Sequence, residues 1–370
     1  MANRWAAQIC VNLIDPHMRY NPYQSSSSWA TPIIARCMHT SISRQREGDQ
    51  MSGMYRLLLL LTLVLLSACG SPTVGNTPPT AVVVATPVAT AAPLPTATAV
   101  VTAVPTAPTQ AILSKNVDVG GRTLHIVCTG AGSPTVILDA GLGGSSADWS
   151  KVQDPAQQIT QVCAYDRAGT GQSEPPASTP RTTQDIVDDL HTLLINADVA
   201  GPYVLVGHSS GGLDVLLYAH QYPKDVVGVV LVDSDHQEMD VRTEQIMPPE
   251  KPDDSEGVKG IRQYLAEAKD PNTNPEKIDF QASYAQLRAV TSLGDIPLVV
   301  IIAGVQDSFL PEELAPQITG LWREMQEDHT RLSSRGRLVV AEQSDHLIPE
   351  NQPQIIVDAI QEVVTAAQQR

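Results

Sequence analysis

The chain of 370 residues carries 24 Lys and Arg against 40 Asp and Glu, a formal net charge of −16. Such an acid excess repels nucleic acid and anionic lipid head groups, and because it mostly serves solubility it gives no argument for a cationic substrate. Five cysteines with no C-x-x-C spacing leave a zinc ribbon or a thioredoxin-like redox site without ligands, so no metal is expected.

Residues 1–50 lack any periodicity and are expected to lie upstream of the true start, at Met51 or Met54. From Met54, a short basic stretch leads into the apolar run Leu57 to Leu66, which ends at Ser67-Ala68-Cys69. Ten residues of helix rise only about 15 Å, half a bilayer core, so residues 51–69 read as a signal peptide rather than a span. Leu66-Ser67-Ala68-Cys69 resembles the lipobox of bacterial lipoproteins, which implies cleavage before Cys69, a diacylglyceryl group on its sulfur and an exported protein held at the cell membrane by that lipid. Loss of residues 1–69 leaves 18 basic against 37 acidic side chains, a net charge of −19. Residues 70–111 are rich in Pro, Thr, Ala and Val and free of charge until the folded part begins, the composition of an extended spacer.

Residues 112–370 change to short apolar runs, Gly-rich turns and amphipathic stretches. Strands are predicted near 115–119, 123–128, 135–139, 161–165, 203–206, 227–232, 298–302 and 337–340, with helices near 183–196, 212–221, 312–327 and 353–367. Strands first paired and then alternating with helices imply a mostly parallel sheet covered on both faces, with chemistry beyond the carboxyl ends of its strands. About 65 residues separate the strand ending at Val232 from the one near Leu298, too many for an ordinary connection, and residues 236–295 are expected to form a small helical cap.

Tyr203-Val-Leu-Val runs directly into Gly207-His208-Ser209-Ser210-Gly211 and then into a helical stretch, which sets G-x-S-x-G in the strand, turn and helix context of a nucleophile elbow. Glycines on either side let strand and helix approach closely, and Ser209 is the expected nucleophile. His208 fills the variable position of the motif, where packing is the expected role. With Leu138-Asp-Ala-Gly-Leu-Gly-Gly144 and Cys163-Ala-Tyr-Asp-Arg-Ala-Gly-Thr-Gly-Gln-Ser173 ahead of the elbow, the chain resembles the α/β-hydrolase superfamily over about residues 114–369.

That resemblance implies an α/β fold with a mostly parallel, eight-stranded sheet, helices on both faces and a small cap. It places the general base at His346, in Ser344-Asp345-His346 after the last strand, with His236 as the rival. It takes the oxyanion donors from the backbone of Ser210 and Leu142, although Ala140-Gly141 stands where the family often has His-Gly. The acid must follow a strand; Asp307, in a Gly-x-x-Asp turn, is preferred, with Asp233 and Asp235 as alternatives. The superfamily topology also sets the strands of Cys128 and Cys163 side by side, so these two are expected to form a disulfide. The Gly-x-Gly strings at 130–132, 141–143 and 169–171 lack the third glycine of a dinucleotide fingerprint, so no cofactor is expected. The expected activity is hydrolysis of a small-molecule carboxylic ester, or an amide, through an acyl-enzyme. A proline-iminopeptidase-like peptidase or an acyltransferase remains open on the same fold, as does a surface-binding lipoprotein without catalysis.

Overall fold

A computed structural model describes residues 113–305 and 310–369. The expected extension 1–50, the signal segment with Cys69, the linker 70–111 and Asp307 lie outside the described residues.

Eight strands form one sheet: β1 Leu113–Asp118, β2 Thr123–Thr129, β3 Thr135–Asp139, β4 Val162–Tyr165, β5 Tyr203–His208, β6 Val226–Val232, β7 Leu298–Ala303 and β8 Gly336–Ala341. They lie in the order β1-β2-β4-β3-β5-β6-β7-β8. The β1–β2 and β2–β4 pairs are antiparallel and every later pair is parallel. Parallel strands are covered on both faces, which is why β6 reads as an almost unbroken apolar run.

The period of two in each strand divides the core. Tyr203, Leu205, Val229, Leu231, Leu298 and Val300 feed one face, while Val204, Val206, Val230, Val232, Val299 and Ile301 feed the other. The first face is covered by α2 (Thr183–Asn196) and α3 (Gly211–Gln221), the second by α1 (Ser150–Ala156) and α9 (Pro353–Gln368). Helix α2 starts where Asp185 accepts the amide of Thr182 at 2.7 Å, and it buries Ile186, Val187, Leu190, Leu193 and Leu194 on one stripe.

Between β6 and β7 the chain forms α4 (Met239–Ile246), α5 (Glu256–Glu267) and α6 (Phe280–Leu287). The last of these begins only at Phe280, after Lys277 at φ 57° and Ile278, which bridges to Arg181. Asp279 then caps the helix by accepting the amide of Ala282 at 2.9 Å. Phe280, Tyr284 and Leu287 pack into the core with α2 and α3, so this part of the insertion is fixed to the body. Helix α7 spans Ala315–Thr330 and begins three residues later than expected, with Pro316 in its first turn. The short α8 (Ile348–Asn351) precedes α9.

Cys128 and Cys163 face each other in the β2–β4 ladder and are joined by a disulfide. The bridge closes a loop of 35 residues, which in the chain-entropy picture stabilises the fold by about 2–4 kcal/mol. We predict that Cys128→Ala/Cys163→Ala keeps the far-UV circular dichroism of the parent and lowers the free energy of urea unfolding by about 2–4 kcal/mol. Equal urea midpoints for parent and variant would refute this.

Candidate active site

Strand β5 ends at His208 and α3 begins at Gly211, so the chain reverses direction within two residues. Ser209 pays for that turn with φ 54°, a left-handed backbone rare outside glycine. Its neighbours hold it there. The amide of Ser209 donates to Val232 O at 3.1 Å, and its carbonyl accepts the amides of Gly212 and Asp235, both at 3.0 Å. A Cβ on Gly207 would stand 2.5 Å from Gly211 O, and one on Gly211 would stand 2.5 Å from Ala140 O, so both flanking positions of the motif exclude any side chain.

His346 follows β8 and stands beside the elbow. His208 Nε2–H donates to the His346 carbonyl at 2.9 Å, and the two rings lie 4.8 Å apart. Burial first, and then the neighbouring His346, push the His208 imidazole down to about 4, so it is neutral at physiological pH. The variable residue of the motif therefore fastens the loop of His346 to the elbow, a role that residue type alone does not signal.

Nδ1–H of His346 donates to Asp233 Oδ2 at 2.7 Å. Asp233 follows β6 directly and is itself left-handed, with φ 43°. Its other oxygen accepts the amide of Ala303 at 3.0 Å and Nε1–H of Trp322 at 2.9 Å. Burial pushes this carboxyl up, but His346, Trp322 and Ala303 outweigh it and hold Asp233 below the ordinary carboxylate range. Among the described residues, the carboxylate bonded to this imidazole is thus one of the two that the sequence ranks behind Asp307. The donors that select it come from β7 and α7, far away in the chain.

Leu142 lies in the loop after β3 and Ser210 directly follows Ser209, and neither backbone N–H has an acceptor among the described residues. The loop of Leu142 is pinned by Arg167, which follows β4 and is buried with Asp139 and Glu276. All five N–H donors of its guanidinium are used. Nη1 donates to Asp139 Oδ1 at 2.6 Å and Ala140 O at 2.5 Å, Nη2 to Gly141 O and Glu276 Oε1, each at 2.7 Å, and Nε to Glu276 Oε2 at 2.8 Å. Asp139 also accepts from Tyr165 Oη at 2.7 Å. Burial pushes Asp139 up and Asp214 well up, the latter reinforced by Asp139, while Arg167 outweighs burial to hold Glu276 below its usual range.

Comparison with known proteins agrees with this architecture. The sequence model described as alpha/beta hydrolase fold matches residues 134–273. The chain is 29% identical over 263 residues to the uncharacterised protein YqjL of Bacillus subtilis, covering 70% of this chain and 95% of that one. It is 34% identical over 101 residues to the "Putative carbamate hydrolase RutD" of Cronobacter turicensis, a stretch covering 27% of this chain and 38% of that protein. Among solved structures, the "putative lipase (lip1)" of Acinetobacter baumannii superposes with a TM-score of 0.50 at 21% identity, over 70% of this chain and 92% of that one. The chain has the α/β-hydrolase fold. At that identity the structural likeness speaks for the fold alone.

The remaining candidates stand around the same edge. His236 is buried with its ring 4.8 Å from that of His329, and its Nδ1 accepts the amide of Glu238 at 3.2 Å. Burial pushes the His236 imidazole down to about 4, which suits a neutral strut of the loop after β6. Asp235 also follows β6, but the Nδ1 of His346 is bonded to Asp233. Burial, with Asp240 and Asp233 nearby, pushes the Asp235 carboxyl up to about 6 against the pull of His346. An unfolded Asp titrates near 3.9, so the folded chain binds the extra proton between about pH 4 and 6. The destabilising contribution of this carboxylate is therefore absent below about pH 4 and fully present above about pH 6. We predict that Asp235→Asn raises stability at pH 7.5 by about 1–2 kcal/mol, discounted for partial exposure, and leaves it nearly unchanged at pH 4. Urea titrations at both pH values check this, and an equal gain at both would contradict it.

Proposed function

We propose that this protein is a serine hydrolase that cleaves a carboxylic ester, or a related amide or carbamate, through an acyl-enzyme. The observation that carries the reading is the Asp233–His346 hydrogen bond at 2.7 Å, set beside a serine held at φ 54° by the turn between β5 and α3. An imidazole whose Nδ1–H is bound to a buried carboxylate has its Nε2 lone pair available to accept a proton, the state a general base needs. The name of the carbamate hydrolase relative adds support for carbonyl hydrolysis as the reaction class.

In this reading Ser209 Oγ attacks the substrate carbonyl carbon while His346 Nε2 takes the hydroxyl proton. The carbonyl π electrons move onto oxygen, where the N–H groups of Leu142 and Ser210 stabilise the charge. Collapse of the tetrahedral intermediate breaks the bond to the leaving group, which takes the proton from His346. Water then repeats the sequence on the acyl-enzyme, releasing the acid and restoring Ser209. Asp233 stays ionised throughout; it fixes the tautomer and stabilises the imidazolium. In this reading the contact between Ser209 Oγ and His346 Nε2 tightens when substrate binds, as is common for catalytic hydrogen bonds.

A fluorophosphonate probe followed by peptide mapping should label Ser209 and leave Ser209→Ala unlabelled, and the same variant should lose about 10³-fold or more of ester turnover. Asp233→Asn should lose about 10⁴-fold while Asp307→Asn keeps most activity. The opposite pattern would return the acid to the loop after β7. A panel of esters, carbamates and aminoacyl amides decides the substrate class, including the peptidase alternative.

We also propose that the enzyme is exported and lipid-anchored at Cys69. The signal-like segment supports this, as does the disulfide, which persists in oxidising compartments. Intact mass of the membrane fraction should give a diacylated chain beginning at Cys69, and Cys69→Ala should lose the lipid. An unlipidated mature chain cleaved elsewhere would overturn the assignment.

A further inference from the structure

The candidate oxyanion loop is held by a residue from the insertion between β6 and β7. Glu276 lies outside the 134–273 stretch matched by the family and 109 residues from Arg167, yet both its oxygens bond that guanidinium. Oε1 also accepts the amide of Gly143 at 2.6 Å. Gly143 sits at φ 73°, immediately after Leu142, so this bond fixes the peptide plane that follows the expected oxyanion donor. A carboxylate accepting an amide N–H while bonded to a buried guanidinium is a strong, directional hold.

Glu276 is itself tightly placed. Asn274 brackets it, with its side-chain oxygen accepting the amide of Ile278 at 2.9 Å and its side-chain nitrogen donating to Ile278 O at 2.8 Å. The next residues are clamped to the start of α2, where Arg181 N donates to Lys277 O at 2.9 Å and Asp279 N donates to Arg181 O at 2.7 Å. Pro275 lies against Gly143 from the same side, 3.2 Å from where a Cβ would stand. The insertion thus reaches the loop through a braced turn.

We propose that Glu276 is a positioning residue for oxyanion stabilisation: acting through Gly143 and Arg167, it keeps the N–H of Leu142 aimed at the carbonyl oxygen of the substrate. This rests on the serine-hydrolase reading and ties the insertion to the chemical step as well as to substrate shape. Loss of the Glu276 carboxylate frees the Gly143 amide and leaves two donors of Arg167 with no anion, so the loop can turn its amides away. The cost then falls on the transition state, where the oxyanion forms, and little on the ground state.

The test compares wild type with Glu276→Gln and Glu276→Asp, using a p-nitrophenyl ester in single turnover and a trifluoromethyl ketone that adds to Ser209 as an oxyanion. Circular dichroism melting checks folding, and Glu276→Asp, which keeps the charge beside Arg167, serves if the Gln variant does not fold. The expected result is a fall of about 10²-fold in the acylation rate constant of Glu276→Gln, with a parallel rise in the ketone Ki and a KM within threefold. Glu276→Asp should fall between the two. Rate and Ki both within threefold of wild type would overturn the proposal, as would a raised KM with acylation unchanged. Ser209→Ala, run alongside, separates the two ideas: if it still turns over the ester, the serine-hydrolase reading fails; if it is inactive and Glu276→Gln is not impaired, only the role of Glu276 fails.

Discussion

A guanidinium with no water to turn to organises the upper edge of the sheet. Arg167 is 2% exposed, and leaving any of its N–H groups unbonded in that setting would cost on the order of 1–3 kcal/mol. Its five donors go to the end of β3, to the two carbonyls that follow and to Glu276. Buried ion pairs of this kind add little net stability, since desolvation cancels most of the attraction. Their effect here is geometric: the loop from Ala140 to Gly143 has one arrangement in which that hydrogen bonding is complete.

A second constraint is strain in two places at once. Ser209 and Asp233 both adopt left-handed backbones, each costing on the order of 1–3 kcal/mol. They are bound to one another through the sheet, because Ser209 N donates to Val232 O, Asp235 N donates to Ser209 O, and Asp233 N donates to Ile301 O. Neither turn can relax without breaking bonds of the other. The apolar packing of β5, β6 and β7 on both faces supplies the stability against which this strain is held.

What the sequence makes legible follows from how local each feature is. The elbow at Ser209 is a strand, a glycine-bracketed turn and a helix in unbroken succession, so its pattern can be read directly. The strands were found to within a few residues because each is a short apolar run. The pairing of Cys128 with Cys163 was legible only through the topology of the superfamily, since no spacing in the chain indicates it. The bond between Asp233 and His346 was not legible: several Asp residues follow strands, and Asp233 is held by Ala303 and Trp322, which no local pattern connects to it. Glu276 was missed altogether, a lone acidic residue in a Pro- and Asn-rich turn whose partner is 109 residues away. Helix α4 escaped notice because its buried side chains are Asp240 and Thr243, which leaves no apolar stripe to read.

The charge count around Arg167 reaches beyond the loop it holds. Asp139, Asp214 and Glu276 share that single guanidinium, and Asp214, whose oxygens meet the Thr183 hydroxyl rather than a cation, is pushed well up. In the unfolded chain at neutral pH all three would be ionised. Burial, reinforced by Asp139, therefore makes the Asp214 carboxyl ionise at a higher pH in the native domain than in the unfolded chain, so its protonation is linked to folding. Between the two pH values unfolding releases that proton, and the heat measured in a calorimeter then contains the ionisation enthalpy of the buffer that receives it.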